Sequence, residues 1–167
     1  DTGAGYYNIR NLASQRCLGI DGARTSDGNR AINIDCKRNR SDQRWKLETY
    51  DEQSIRLVAK HSNKCLDLSK GSQNDGGEFN QWQCVNGHAN QHFQMQPIAD
   101  VIVQAANPQP NRPISPSRIP QAFSLKVKAT GKCLDMGGVG DDGSVQHQWN
   151  CDTTNQNQVY QAIPKGE

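Results

Sequence analysis

Short runs in which apolar and polar residues alternate, broken by Gly, Asn and Asp, recur along the chain and predict β-strands rather than helices. Four are expected in the first part: Tyr6–Leu12, Cys17–Asp21, Ala31–Cys36 and Gln43–Glu48. Four follow at Ser54–Ala59, Cys65–Leu68, Glu78–Cys84 and Gln91–Gln96, and four more at Phe123–Ala129, Cys133–Met136, Val145–Cys151 and Gln158–Ile163. The period-two runs and the load of 15 glycines exclude a helical repeat.

These twelve elements are three copies of one unit. Each copy holds Cys-Leu-x, then Asp-Gly, then a second Cys, then Gln-x-aromatic. The two cysteines are 19, 19 and 18 residues apart (Cys17 to Cys36, Cys65 to Cys84, Cys133 to Cys151). First Cys to Gln is 26, 26 and 25 residues (to Gln43, Gln91 and Gln158). Internal repetition of this kind sets the architecture. Asp27-Gly28, Asp75-Gly76 and Asp142-Gly143 fall between second and third strands, where a turn with positive φ is expected. Leu18, Leu66 and Leu134, and the closing aromatics Trp45, Phe93 and Tyr160, are expected in the core. Three units of four strands are too few for a propeller, and closure into one barrel removes exposed edges, so the expected class is all-β.

The repeats run over about 5–50, 53–97 and 121–163, with 1–167 expected as a single domain. Between the second and third lies an insertion, Pro97–Pro120, which holds six of the seven prolines and reads as an extended strap or linker. It is either a tolerated surface insertion, with Val101-Ile102-Val103 packed on the domain, or a docking segment for another polypeptide.

Charge narrows the function. The net charge is +2 (19 basic against 17 acidic residues), too small and dispersed for nucleic acid. The run Lys37-Arg38-Asn39-Arg40 reads as a solvated loop. No apolar stretch is long enough to span a membrane as a helix. Without a CxxC, and with four scattered histidines, neither a metal site nor a cofactor is expected. Six cysteines, an even number, favour disulfides and an oxidising, secreted setting. Asp1-Thr2-Gly3 reads as a processed or trimmed end rather than a leader.

The candidate chemistry concentrates in the second copy. Cys65-Leu66-Asp67 precedes Asn80-Gln81-Trp82-Gln83-Cys84 and Asn90-Gln91-His92-Phe93. A carboxylate and amides grip hydroxyls, and an indole stacks on C–H faces, a combination that suits a sugar. The third copy repeats it with Asp135, His147, Trp149, Asn157 and Gln158. Its Val145 stands four residues before the Trp, whereas Phe79 stands three before its own. A one-residue shift would turn Gln146 rather than His147 to the ligand. The first copy has Gly19, Ile32, Ile34 and Asp42 at the corresponding places and is expected to be structural only.

Cys-Leu-x, an aromatic two residues before the second Cys, and Gln-x-aromatic together resemble the ricin-type lectins with their Gln-x-Trp repeats. That resemblance implies a β-trefoil with up to three shallow sugar pockets. It implies hydroxyl binding by Asp67 and Asp135, stacking on Trp82 and Trp149, and hydrogen bonds from Asn80 or His147 and from Asn90 or Asn157. Gln91 and Gln158 would support the carboxylate or the sugar; Gln43 persists in the copy that lost the rest, which favours the supporting role. Galactose or N-acetylgalactosamine is the implied ligand, and a toxin or hydrolase polypeptide an implied partner. Repeat symmetry pairs Cys17 with Cys36, Cys65 with Cys84 and Cys133 with Cys151. Asn39-Arg40-Ser41 is a glycosylation sequon. The leading expectation is non-catalytic glycan binding through two pockets. The alternative is a protein-interaction or inhibitor trefoil acting through the insertion, where fold alone does not decide function.

Overall fold

The computed structural model describes residues 5–98, 119–137 and 141–165. It has twelve strands: β1 (Tyr7–Asn11), β2 (Cys17–Ile20), β3 (Ala31–Ile34), β4 (Trp45–Thr49), β5 (Ile55–Ala59), β6 (Cys65–Leu68), β7 (Phe79–Trp82), β8 (Phe93–Pro97), β9 (Phe123–Val127), β10 (Cys133–Asp135), β11 (His147–Trp149) and β12 (Tyr160–Pro164). The first and last strand of each repeat close a six-stranded ring. β1 pairs with β4 and β12, β5 with β4 and β8, and β9 with β8 and β12. The antiparallel pairs β2–β3, β6–β7 and β10–β11 branch from it, and bridges Arg30–Asn80, Ile32–Val145 and Glu78–His147 join the three to one another. This is the β-trefoil. The middle of the insertion, residues 99–118 including Val101-Ile102-Val103, lies outside the described residues.

One apolar cluster fills the ring. Each repeat supplies equivalent residues: Leu18, Leu66 and Leu134; Ile9, Leu57 and Leu125; and Trp45, Phe93 and Tyr160. Fully burying a leucine of this kind contributes roughly 1.5–3 kcal/mol. The polar edges of the large aromatics are satisfied. The Trp45 Nε1–H donates to Leu18 O (2.9 Å), and the Tyr160 hydroxyl to Gln146 Oε1 (3.0 Å). The three disulfides join the cysteines in the pairs that repeat symmetry indicated.

The fourth strands begin later than their sequence suggests. Gln43, Gln91 and Gln158 end short 3₁₀ turns, Ser41–Gln43, Ala89–Gln91 and Gln156–Gln158, two residues before the strand starts. Each glutamine turns inward and braces its own loop. Its Oε1 accepts from the backbone N–H of Lys37, Val85 or Asp152, and its Nε2 donates to the carbonyl of Asp35, Gln83 or Asn150. A strand register would send that side chain across the sheet and lose both bonds. Pro97, taken as the start of the insertion, is the last residue of β8, opposite Phe123.

The Asp-Gly turns have the expected left-handed glycines, Gly28, Gly76 and Gly143 (φ +85°, +84° and +88°). They also join repeats. Their amides donate to the carbonyls of Gln81, Gln148 and Asn33, each in the third strand or third-strand segment of the next repeat around the barrel. Those three residues are buried amides that reach back. Gln81 Nε2 donates to Arg24 O and Ser26 O (both 2.9 Å), and Gln148 Nε2 to Ser72 O and Asn74 O (both 2.8 Å). Asn33 Nδ2 donates to Met136 O (3.2 Å) and Ser144 Oγ (3.1 Å). Removing such a side chain takes away two hydrogen bonds across a part-buried seam. Gln81→Ala is expected to lower unfolding stability in urea by about 2–3 kcal/mol, with Gln83→Ala, at an exposed position, within about 0.5 kcal/mol of the parent.

Candidate functional site

Register assembles the second-repeat face. Asp67 lies opposite Asn80, and Cys65 opposite Trp82, in the β6–β7 pair. Directly opposed residues, and residues two apart on one strand, share a side of the sheet. Asp67, Asn80 and Trp82 therefore stand together. Trp82 is 44% exposed. Beneath it runs the Asp27-Gly28 turn of repeat one, so close that a Cβ at Gly28 would sit 3.7 Å from the indole. Gln91 is fully buried behind the carboxylate: its Nε2 donates to Asp67 Oδ2 at 2.8 Å. It holds the acid and presents nothing to solvent. Asn90 is half-buried over Gly71, with its amide nitrogen 3.3 Å from His88 Nε2, and His88 Nε2 lies 3.8 Å from Asp67 Oδ2.

This face is short of donors. Among the described residues nothing donates to Asp67 Oδ1, and the buried Asn80 Oδ1 has no partner. Burial raises the Asp67 carboxyl above the usual aspartate value, against the opposing effects of the Gln91 hydrogen bond and His88; the nearby Asp27 adds to the rise. A ligand bringing O–H donors would complete both acceptors.

The third-repeat face repeats this plan with differences. Asp135 lies opposite His147, and Cys133 opposite Trp149. Trp149 is 47% exposed and lies over Gly76 of repeat two as Trp82 lies over Gly28. Buried Gln158 donates to Asp135 Oδ2 (2.9 Å), while Asp135 Oδ1 accepts from the Gly137 amide (2.8 Å). The His147 ring lies against Gly137, and its Nδ1 is 3.2 Å from Val145 O. Asn157 is half-buried beside them. The strand carries no shift at this point. Gln146 is fully buried, donating to Asn33 Oδ1 (2.7 Å) and accepting from the Tyr160 hydroxyl. Val145 bridges to Ile32 and stands where Arg30 and Glu78 stand in the other copies, and the one-residue difference in length falls before Asp142.

The first-repeat face is filled. A Cβ at Gly19 would come within 2.8 Å of Ile34 Cγ2 and 3.2 Å of Gln43 Cγ. The Asp42 carboxylate, buried nearby, is held by Arg40 through Nε–Oδ1 (2.6 Å) and Nη2–Oδ2 (3.1 Å). Asp42 Oδ2 would lie 3.5 Å from that Gly19 Cβ, so a carboxylate does reach this face, but it is paired with Arg40, and no aromatic replaces Trp82.

Three residues that the sequence reading passed over belong to these faces: His88 beside Asp67, Asp27 under Trp82, and Arg30, which bridges to Asn80. Arg30 and Asp27 come from the preceding repeat, so comparison of aligned copies could not bring them in. The clamps Gln81, Gln148 and Asn33 carried a usable signal, since an amide recurs just before the aromatic position in every copy.

Residues 1–82 match a family model described as a ricin-type beta-trefoil lectin domain-like module. No curated protein matches by sequence. Among solved structures, the chain is similar to a designed 3-fold symmetric protein, ThreeFoil, with a TM-score of 0.79 and 25% identity over 95% of this chain and 98% of that one. It is similar to an exo-beta-1,3-galactanase from Clostridium thermocellum (TM-score 0.79, 21% identity), covering 98% of this chain and only 30% of the galactanase. It is also similar to a ricin B-like lectin of Macrolepiota procera solved in complex with lactose (TM-score 0.69, 16% identity, 98% and 97% covered). The fold is a β-trefoil, and residues 1–82, just under half of the chain, are similar to the ricin-type lectin-like family.

The filled first face yields a steric prediction. Gly19→Ala is expected to cost about 1–3 kcal/mol in urea unfolding, because Ile34 and Gln43 already occupy the space. In the Gly19→Ala/Ile34→Ala double variant the two costs are expected to sum to less than their separate values, since the second change removes the clash.

Proposed function

We propose that the chain is a non-catalytic carbohydrate-binding domain with two working pockets, in repeats two and three, and a preference for galactose-like sugars. The observation that carries this reading is the buried, unpartnered Asn80 Oδ1 opposite the Asp67 carboxylate, beside the exposed indole of Trp82. Vicinal hydroxyls would donate to the acceptors while a C–H face stacks on the ring. In repeat three, Asp135, His147, Trp149 and Asn157 would play the same parts. The lactose complex of the fungal lectin and the GalNAc complex of an earthworm R-type lectin, whose C-half shares this fold (TM-score 0.64, 13% identity), support the sugar class.

Single shallow sugar sites bind on the order of 1 mM. Two on one rigid body raise avidity on a glycan-bearing surface without further contacts. Three disulfides fit an extracellular setting. This fold also occurs within longer chains, a galactanase and a mosquitocidal holotoxin of which the match covers 30% and 17%, and a targeting role beside a hydrolase or toxin partner is consistent with that.

A glycan array comparing the parent with Asp67→Ala/Asp135→Ala, both shown folded by circular dichroism, tests the reading. The parent is expected to retain a galactose-containing class that the double variant loses. Equal retention by both would discard the pocket assignment. A second expectation concerns pH. With the repeat-three pocket removed by Asp135→Ala, binding should weaken as pH falls, because proton uptake by Asp67 removes the charged acceptor. Its onset should lie above the ordinary aspartate range, since burial already favours the neutral acid. Titration calorimetry from neutral to acidic pH checks the onset.

A further inference from the structure

The two pockets share a plan but not a rim. Every repeat places the residue two before its pocket amide against the pocket of the next repeat, through the bridges that join the three hairpins. Arg30 stands opposite Asn80, Glu78 opposite His147, and Val145 opposite Ile32. Opposed residues in an antiparallel bridge have neighbouring side chains on one side of the sheet. The repeat-two pocket thus has a guanidinium at its edge, and the repeat-three pocket a carboxylate.

Both rim groups are exposed and lie beside each other. The Arg30 side chain is 62% exposed and that of Glu78 51%; they form a loose ion pair of 3.9 Å. By contrast, the lysines under the two indoles are committed, Lys64 to Asp27 and Lys132 to Asp75, both at 2.7 Å. The loop positions three residues beyond the indoles add to the difference. Val85 in repeat two is an exposed apolar side chain, while Asp152 in repeat three is an exposed carboxylate held by Thr154. His88 faces Asp67 in repeat two, where repeat three has Asn155.

We infer, on the reading of these faces as sugar pockets, that the two select different saccharides: the repeat-two pocket takes a carboxylated sugar, with Arg30 pairing its carboxylate while Asp67 accepts from its hydroxyls, and the repeat-three pocket prefers a neutral one because Glu78 and Asp152 repel the charge. A guanidinium reads a carboxylate through two parallel N–H donors, a charge-assisted contact stronger than a neutral hydrogen bond. The opposite rim supplies rejection rather than affinity.

The test uses each pocket alone. Asp135→Ala leaves the repeat-two pocket and Asp67→Ala the repeat-three pocket. Each is titrated calorimetrically at low salt with an oligogalacturonide and with its carboxyl-reduced galactose counterpart, which differ only at the carboxylate. Asp135→Ala is expected to bind the charged oligomer about tenfold more tightly than the reduced one, a preference that declines with added salt. Adding Arg30→Gln should bring the ratio close to one, and Arg30→Lys should restore part of it. Asp67→Ala should show the reverse preference, relaxed by Glu78→Gln. A ratio near one in Asp135→Ala, or a preference that Arg30→Gln leaves untouched, overturns the inference while the pocket reading stands. If neither oligomer binds either single-pocket protein, the inference and the pocket reading fall together.

Discussion

A buried glutamine must be satisfied at both ends of its amide, and that requirement governs this molecule. Gln43, Gln91 and Gln158 each tie a loop to itself through one acceptor and one donor contact before the chain enters the last strand of a repeat. The tie puts Trp45, Phe93 and Tyr160 into the core two residues later. In repeats two and three the same Nε2 has a further recipient, the carboxylate of Asp67 or Asp135. One side chain therefore sets the fold and aims the acid. Repeat one keeps the structural half of this arrangement with no acid to hold.

The seam between repeats works by a similar rule. Each Asp-Gly turn gives a backbone N–H to the next repeat and receives that repeat's buried amide side chain in return, as Gly28 and Gln81 show. Such reciprocal contacts make the three units interdependent despite their modest apolar content. They also fix what lies under the indoles, because the turns that are clamped are the turns on which Trp82 and Trp149 rest.

Much of this was legible in the residues. Recurrence of Cys-Leu-x, Asp-Gly and Gln-x-aromatic exposed the three-fold plan and the cysteine pairs, because each motif answers a local demand that recurs identically. The filling of the first-repeat face was legible from Gly19 and Ile34. Strand ends were not: a glutamine that braces its own loop looks, in a linear reading, like the first residue of the following strand. Nor was the orientation of Gln146, because a copy one residue shorter leaves open on which side of the strand the register changes, and the buried contacts with Asn33 and Tyr160 decide it. Arg30 and Asp27 escaped for a different reason. They border a face whose other residues lie in another copy, and aligning copies compares each residue with its equivalents rather than with its neighbours.

That displacement bears on how the three copies are free to diverge. The turn of repeat one underlies the indole face of repeat two, and the turn of repeat two underlies that of repeat three, whereas the turn of repeat three meets the face closed by Ile34. A copy's own ligand chemistry and its service to its neighbour are thus separate traits, open to separate selection. Repeat one has a filled face and keeps the second trait. Repeat three shows the opposite combination, an open face of its own and a turn that supports none, so drift at Asp142 and Gly143 would be checked by folding alone.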